Sequence, residues 1–156
     1  MAALCSRKDV ILTIKGVQFT QNSFPEITEM VTAGEYYYGE DYISVIYMDT
    51  DTDSDHRPIH TELRIEKDRV TLTRKGAIST HLLFQEGKRA FSQYVTEAGY
   101  LMMGVNVHHI RQRLDQNGGQ LELDYALEMN HCVVGENHFS VTIRPATPGT
   151  SYDTNA

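Results

Sequence analysis

Asn117-Gly118-Gly119-Gln120-Leu121-Glu122-Leu123-Asp124-Tyr125-Ala126-Leu127-Glu128-Met129 decides the fold. Behind the opening turn signal, Leu121, Leu123, Tyr125, Leu127 and Met129 alternate with Gln120, Glu122, Asp124 and Glu128. A period of two sends the first set to one face of a strand and the second to the other. One buried face opposed to one wet face is the mark of an antiparallel sheet. Asn-Gly-Gly between two such runs predicts a hairpin. Residues 100–114 are therefore read as a long strand folding back on residues 120–129, in preference to a short helix over 107–114.

The same pattern spreads outward from this hairpin. Ile59, Thr61, Leu63 and Ile65 oppose His60, Glu62, Arg64 and Glu66; Phe139, Val141 and Ile143 oppose His138, Ser140, Thr142 and Arg144. Turn signals fall at Lys67-Asp68, Lys75-Gly76, Glu86-Gly87, Glu97-Ala98-Gly99, Asn117-Gly118-Gly119 and Gly135-Glu136-Asn137. Nearer the N-terminus, residues 10–14 read as a strand ending near Gly16. Residues 27–38 read as a second, bent or bulged at Gly34, and residues 42–48 as a third. Residues 49–57 read as a solvated acidic loop. Residues 1–144 are expected to form a single domain, and residues 145–156, rich in Pro, Gly, Ser and Thr, a disordered tail. The expectation is an all-β, antiparallel meander closing into a barrel of about eight to ten strands.

Composition narrows the function classes. A chain of 156 residues suits one domain. Its net charge of −7 and the lack of any Lys/Arg run longer than two residues argue against nucleic acid or an anionic membrane as partner. The N-terminal residues hold no apolar signal-peptide region, and no apolar stretch approaches the roughly 20 residues needed to span a bilayer. Cys5 and Cys132 form no C-x-x-C motif, which fits free thiols in a reducing compartment. A cytoplasmic location is the resulting expectation.

Motifs for chemistry are few. Asp49, Asp51, Asp53 and Asp55 alternate like a calcium loop, but Ser54 and His60 stand where an EF-hand needs Gly and a bidentate Glu. Of the seven histidines, His56 and His60 are separated by Pro58, and His108 and His109 point to opposite faces of a regular strand, so no metal site is expected. Cys132 follows His131, an adjacency that does not activate a thiol, and neither G-x-S-x-G nor a phosphate-binding glycine loop occurs. No catalytic residue and no cofactor are expected. Arg74 is the unusual charge. It shares parity with Val70 and Leu72 and so leans inward at a strand end, where it needs a carboxylate, carbonyls or an anionic ligand. Glu29, sharing parity with Ile27 and Val31, is its candidate inward partner. Tyr36, Tyr47 and Tyr94 are candidate hydroxyls for a polar pocket, although sheet packing is the usual role of tyrosines on strands.

Taken together, Glu29-Met30-Val31 with Gly34, Tyr36 and Tyr47, the run Val70-Thr71-Leu72-Thr73-Arg74-Lys75-Gly76, Phe84-Gln85-Glu86-Gly87, Tyr94-Val95-Thr96 with Gly99, and Gly118-Gly119 with Leu121, Tyr125 and Leu127 resemble the YwiB-like family of bacterial proteins. The resemblance runs from about Val10 to Ile143 and rests on order and spacing. It implies a calycin-like, lipocalin-related β-barrel and a bacterial cytoplasmic setting, and it supplies no catalytic residues. Met48 before Asp49, Arg64 where the family often has Lys, and an Asp-rich loop depart from its pattern.

An eight-stranded barrel encloses side chains or one small ligand. The functional expectation is a non-enzymatic binder of an amphipathic or anionic small molecule, with Arg74, Glu29, Tyr36, Tyr47 and Tyr94 at the ligand. The alternative is a protein-interaction or assembly module, such as a homodimer, with a side-chain-filled barrel. An enzyme is the third reading.

Overall fold

Alternation delivers ten strands: β1 (Ser6–Phe19), β2 (Glu26–Tyr38), β3 (Ile43–Thr52), β4 (Pro58–Ile65), β5 (Arg69–Lys75), β6 (Thr80–Gln85), β7 (Arg89–Thr96), β8 (Gly99–Asp115), β9 (Gly118–Met129) and β10 (Cys132–Pro145). The computed structural model describes residues 6–20, 24–52, 58–75, 80–96 and 99–146, with the backbone alone at 49–52, 58 and 93–96. Each strand pairs antiparallel with its sequence neighbours, except that β6 and β7 share no ladder. β1 also pairs with β10, from Val10↔Pro145 to Phe19↔Glu136, so the ends of the meander meet and the sheet curls into a nearly closed barrel. At the seam, the Ser92 hydroxyl donates to the carbonyl of His81 at 2.7 Å, linking β7 to β6. The β6–β7 turn is tied to β8 by Gly87 N–H to the Val107 carbonyl (3.0 Å) and Val107 N–H to the Lys88 carbonyl (3.1 Å).

Inward faces of nearly every strand merge into one core. Val10, Leu12, Val45, Leu63, Val70, Leu121 and Val141 are fully enclosed there. Phe84 of β6 meets Tyr125 of β9 edge-on, ring centres 5.0 Å apart, across the interior. Burial pushes the Tyr125 phenol up to about 12. The predicted faces of β4, β9 and β10 hold for Thr61, Leu63, Ile65, Leu121, Leu123, Val141 and Ile143.

Several local expectations need correcting. Residues 107–114 are strand, as read, but β8 carries a bulge between Val107 and His109. The extra residue leaves His108 and His109 both exposed, where a regular strand would have split them between faces. The acidic stretch at 49–52 continues β3, while residues 53–57 lie outside the described set. Gly135 is not a turn. It sits at a bulge inside β10, where a Cβ would meet the Phe19 carbonyl oxygen at 2.7 Å. The chain reverses instead at Asn130-His131, whose φ values of 49° and 70° give the two left-handed positions that a tight type I′ hairpin needs. The Asn117-Gly118-Gly119 signal does mark a reversal, with Gly118 at φ 118° taking the left-handed position after the turn.

β2 holds unbroken register with β1 from Ser6↔Tyr38 to Gln18↔Glu26, so Gly34 introduces no bulge. Its effect lies on the other edge. A Cβ there would meet Leu12 Cδ1 at 2.7 Å and the Ile46 carbonyl oxygen at 2.9 Å. The β2–β3 ladder ends at Gly34↔Tyr47, and among the described residues, residues 26–33 of β2 pair only with β1. Two barrel ends can then be named. The base carries the β2–β3, β4–β5, β6–β7 and β8–β9 turns; the mouth carries the β9–β10 turn and the parted edges of β2 and β3.

Candidate functional site

Directly cross-strand residues of an antiparallel pair share a face, so one register row places several side chains together. Toward the mouth, Tyr47↔Thr61, Thr61↔Arg74 and Arg74↔Thr80 form such a row across β3, β4, β5 and β6. Thr61 is 1 % exposed and Tyr47 is buried, which fixes the row as inward-facing. Arg74 is part-buried, with its Nε shielded from solvent. The Thr61 hydroxyl is likewise shielded and has no hydrogen-bond partner among the described residues. Several strands around the barrel, Asn137 of β10 stands between Gln18 and Tyr125, on the parity of Phe139 and Val141. Its Nδ2 is also shielded and has no partner among the described residues. Polar groups thus enter the interior near the mouth, where an unpaired buried hydroxyl or amide costs about 1–3 kcal/mol.

The residues singled out from sequence divide on this map. Arg74 and Tyr47 lie in the same inward row. Tyr94 is on β7 opposite Leu101, and its side chain lies outside the described set. Tyr36 is fully buried but nearer the base, and its hydroxyl donates to the Asp115 carbonyl at 2.7 Å. Burial, then the neighbouring Tyr38 and Asp115, raises its pKa, so the group is a structural clasp between β2 and the β8–β9 hairpin. Glu29 is a correction. Unbroken register puts Thr28, Met30, Thr32, Gly34 and Tyr36 on the inward parity and Ile27, Glu29 and Val31 outside, where all three are exposed. Glu29 therefore does not orient Arg74. Thr61 and Asn137 were not singled out; inward parity with Leu63 and with Phe139 was the available signal.

Elsewhere the charged groups serve the outer face. Glu128, read as solvated, is 6 % exposed because Gly104 opposite it has no side chain and Phe91 lies over that gap. Arg89 covers it with an ion pair of 3.1 Å. His138 Nδ1 donates to Asp124 Oδ1 at 2.6 Å, and Arg111 stands 3.3 Å from the same carboxylate. Burial alone would raise the Asp124 pKa; the His138 hydrogen bond and the charges of His138, Arg111 and His109 outweigh it and hold the carboxyl below its usual range. Among the described residues no group of three or more His, Cys, Asp or Glu could hold a metal, and no helix is long and apolar enough to cross a membrane.

A family model described as "Domain of unknown function (DUF1934)" matches residues 12–141. The chain belongs to that family. The fold of this DUF1934 member is similar to that of the crystal structure of ywiB protein from Bacillus subtilis, with a TM-score of 0.73 over 90% of this chain and 94% of that one, at 20% identity. The resemblance read from residues 10–143 is thereby shown, and the calycin-like barrel with it, as a statement about fold. No curated protein matches the chain.

Proposed function

We propose that the barrel is a non-enzymatic binding protein that takes a small molecule with an anionic group at its mouth. Arg74 neutralises the anionic group, and Tyr47 and Tyr94 offer hydroxyls. Thr61 and Asn137 join this set, while Tyr36 and Glu29 leave it. The observation that carries the reading is the Thr61 hydroxyl, sealed from solvent without a partner beside an inward arginine. A residue that depresses stability in the free protein is a common companion of a binding site. Apolar packing through the rest of the interior limits the ligand to a small one, with any apolar portion directed toward Met30 and the parted β2–β3 edges. Thermal unfolding against a panel of small carboxylates and phosphates tests this. The Tm should rise saturably with at least one compound, and Arg74→Gln should abolish the rise while keeping the native circular dichroism. A flat Tm across the panel, or an equal rise in Arg74→Gln, contradicts the proposal.

A second reading, an assembly module, has its own observation. Residues 26–33 of β2 present an unpaired strand edge with Ile27 61 % and Val31 62 % exposed. Such edges template pairing with another chain. Two copies pairing antiparallel about Met30 would set Glu29 against Val31 and Ile27 against Ala33, avoiding two facing glutamates. Light scattering after size exclusion should then report a dimer that Val31→Lys dissolves; a monomer at every concentration removes this reading.

A further inference from the structure

The base of the barrel carries a second feature, with the opposite electrostatic character to the chain as a whole. A groove of about 770 Å³ lies between the β4–β5 turn (Lys67, Asp68), the β6–β7 turn (Gln85, Glu86, Lys88) and the base end of β8 (Ile110 to Arg113). Its walls are tied together. Gln112 Nε2 donates across to the Glu66 carbonyl at 3.2 Å, the Lys88 N–H closes the β6–β7 turn onto the Gln85 carbonyl at 3.0 Å, and that turn is fastened to Val107 as described above.

Four cations line the groove, Lys67, Lys88, Arg111 and Arg113, against two carboxylates, Asp68 and Glu86. The chain overall has 21 acidic residues and 14 basic ones, so this is a local reversal of sign. Two of the charges are already engaged. Arg111 meets Asp124, and Asp68 meets Arg69 at 3.3 Å. Hydrogen bonding to Arg69 holds the Asp68 carboxyl below its usual range, with the Lys88 charge adding to the effect. Among the described residues Lys67, Lys88 and Arg113 make no ion pair, although acids are in excess in the chain. Four cations against two carboxylates leave an excess of positive charge on tied walls, which forms a focused positive potential.

We infer that this groove binds a compact oligophosphate, that is, a small molecule carrying two or more linked phosphate groups. Lys67, Lys88 and Arg113 supply charge-assisted hydrogen bonds to its oxygens, and Ile110 gives an apolar surface for an attached group. The volume lies in the range of small-molecule sites. A long polyanion such as nucleic acid is disfavoured by the acidic remainder of the surface. The site is at the other end of the barrel from Arg74, so it stands independently of the ligand proposed for the mouth.

Calorimetric titration of the full chain with sodium tripolyphosphate at low ionic strength tests the inference. Saturable binding is expected, weakening as salt is raised. Lys88→Gln/Arg113→Gln should lower the affinity by at least about tenfold, the order expected for losing two charge-assisted hydrogen bonds. Lys15→Gln, on β1, should leave it unchanged. Lys88 and Arg113 make no ion pair among the described residues, so the double variant should keep its Tm; Lys67→Gln provides a second, independent removal of charge. Adenosine triphosphate binding more tightly than tripolyphosphate supports a nucleotide-like ligand resting on Ile110, and equal binding supports the phosphate chain alone. Absence of saturable binding, or full affinity in both groove variants, overturns the inference.

Discussion

Thr61→Val should make the free protein more stable. The hydroxyl oxygen of Thr61 is sealed inside the barrel without a partner among the described residues, between Tyr47 and Arg74 in the register row. Valine keeps the β-branched shape and replaces the oxygen with a methyl, so χ1 preference and strand propensity are retained. What changes is the desolvation of the hydroxyl. An unpaired buried hydroxyl costs about 1–3 kcal/mol, and part of that is recovered through relaxation of its neighbours, which leaves an expected gain of about 1–2 kcal/mol. For a domain of this length the gain corresponds to a rise in Tm of about 3–6 °C. Urea unfolding followed by circular dichroism gives the direct measurement: the midpoint should move up at an unchanged m-value, which separates a change in native stability from one in denatured-state compactness. The same variant should bind the mouth ligand more weakly. A loss of 1 kcal/mol or more would mean that the hydroxyl is satisfied in the free protein and would refute the reasoning.

Other consequences are simpler to state. Gly34→Val places a branched side chain against the Ile46 carbonyl and Leu12, so it should destabilise the barrel by about 2 kcal/mol or more, read as a lowered urea midpoint. Arg89→Ala strips the cover from the buried Glu128; because Arg89 is itself half-exposed, the expected loss is about 1–2 kcal/mol, and Arg89→Ala/Glu128→Gln should recover most of it in a double-mutant cycle. The Asp124 carboxyl is depressed below its model-peptide value of 3.8, so the stability it contributes is fully present above that value and is lost as pH falls through the lower folded-state value. Asp124→Asn should therefore flatten the fall of urea stability below about pH 4, and an unchanged acid limb would contradict the His138–Asp124 contact.

Much of the fold was legible because the barrel is built from the simplest sequence code, alternation with period two. The core faces of β4, β9 and β10 read correctly at Leu63, Ile65, Leu121, Leu123, Val141 and Ile143, where apolar residues recur at every second position. β2 misled, because Ile27 and Val31 are apolar on an exposed face of a hairpin that projects past the end of the β2–β3 ladder, and parity there followed hydrophobicity instead of register. Gly135-Glu136-Asn137 looked like a turn because glycine serves bulges and reversals alike, while Asn130-His131 carried no glycine to announce the actual reversal. Glu128 was hidden for a related reason. A charge on the outer parity is normally solvated, and its burial depends on Gly104 and Phe91, which are distant in sequence and adjacent only after β7, β8 and β9 pair. For the candidate site, parity alone turned Arg74 inward. Thr61 and Asn137 required the three-dimensional count of hydrogen-bond partners before they stood out from their neighbours.

The binding claim rests on Arg74, and its guanidinium gives the most direct observable. In ¹⁵N-labelled protein the Arg74 Nε–Hε signal, assigned by its absence in Arg74→Gln, can be followed during titration with the small carboxylates and phosphates that raise the Tm. The account predicts a saturable shift of that signal together with the backbone amides of Tyr47, Thr61 and Asn137, while Asp115 at the base stays still. An Arg74 signal that does not move at saturating ligand, or movement confined to the base of the barrel, would contradict it.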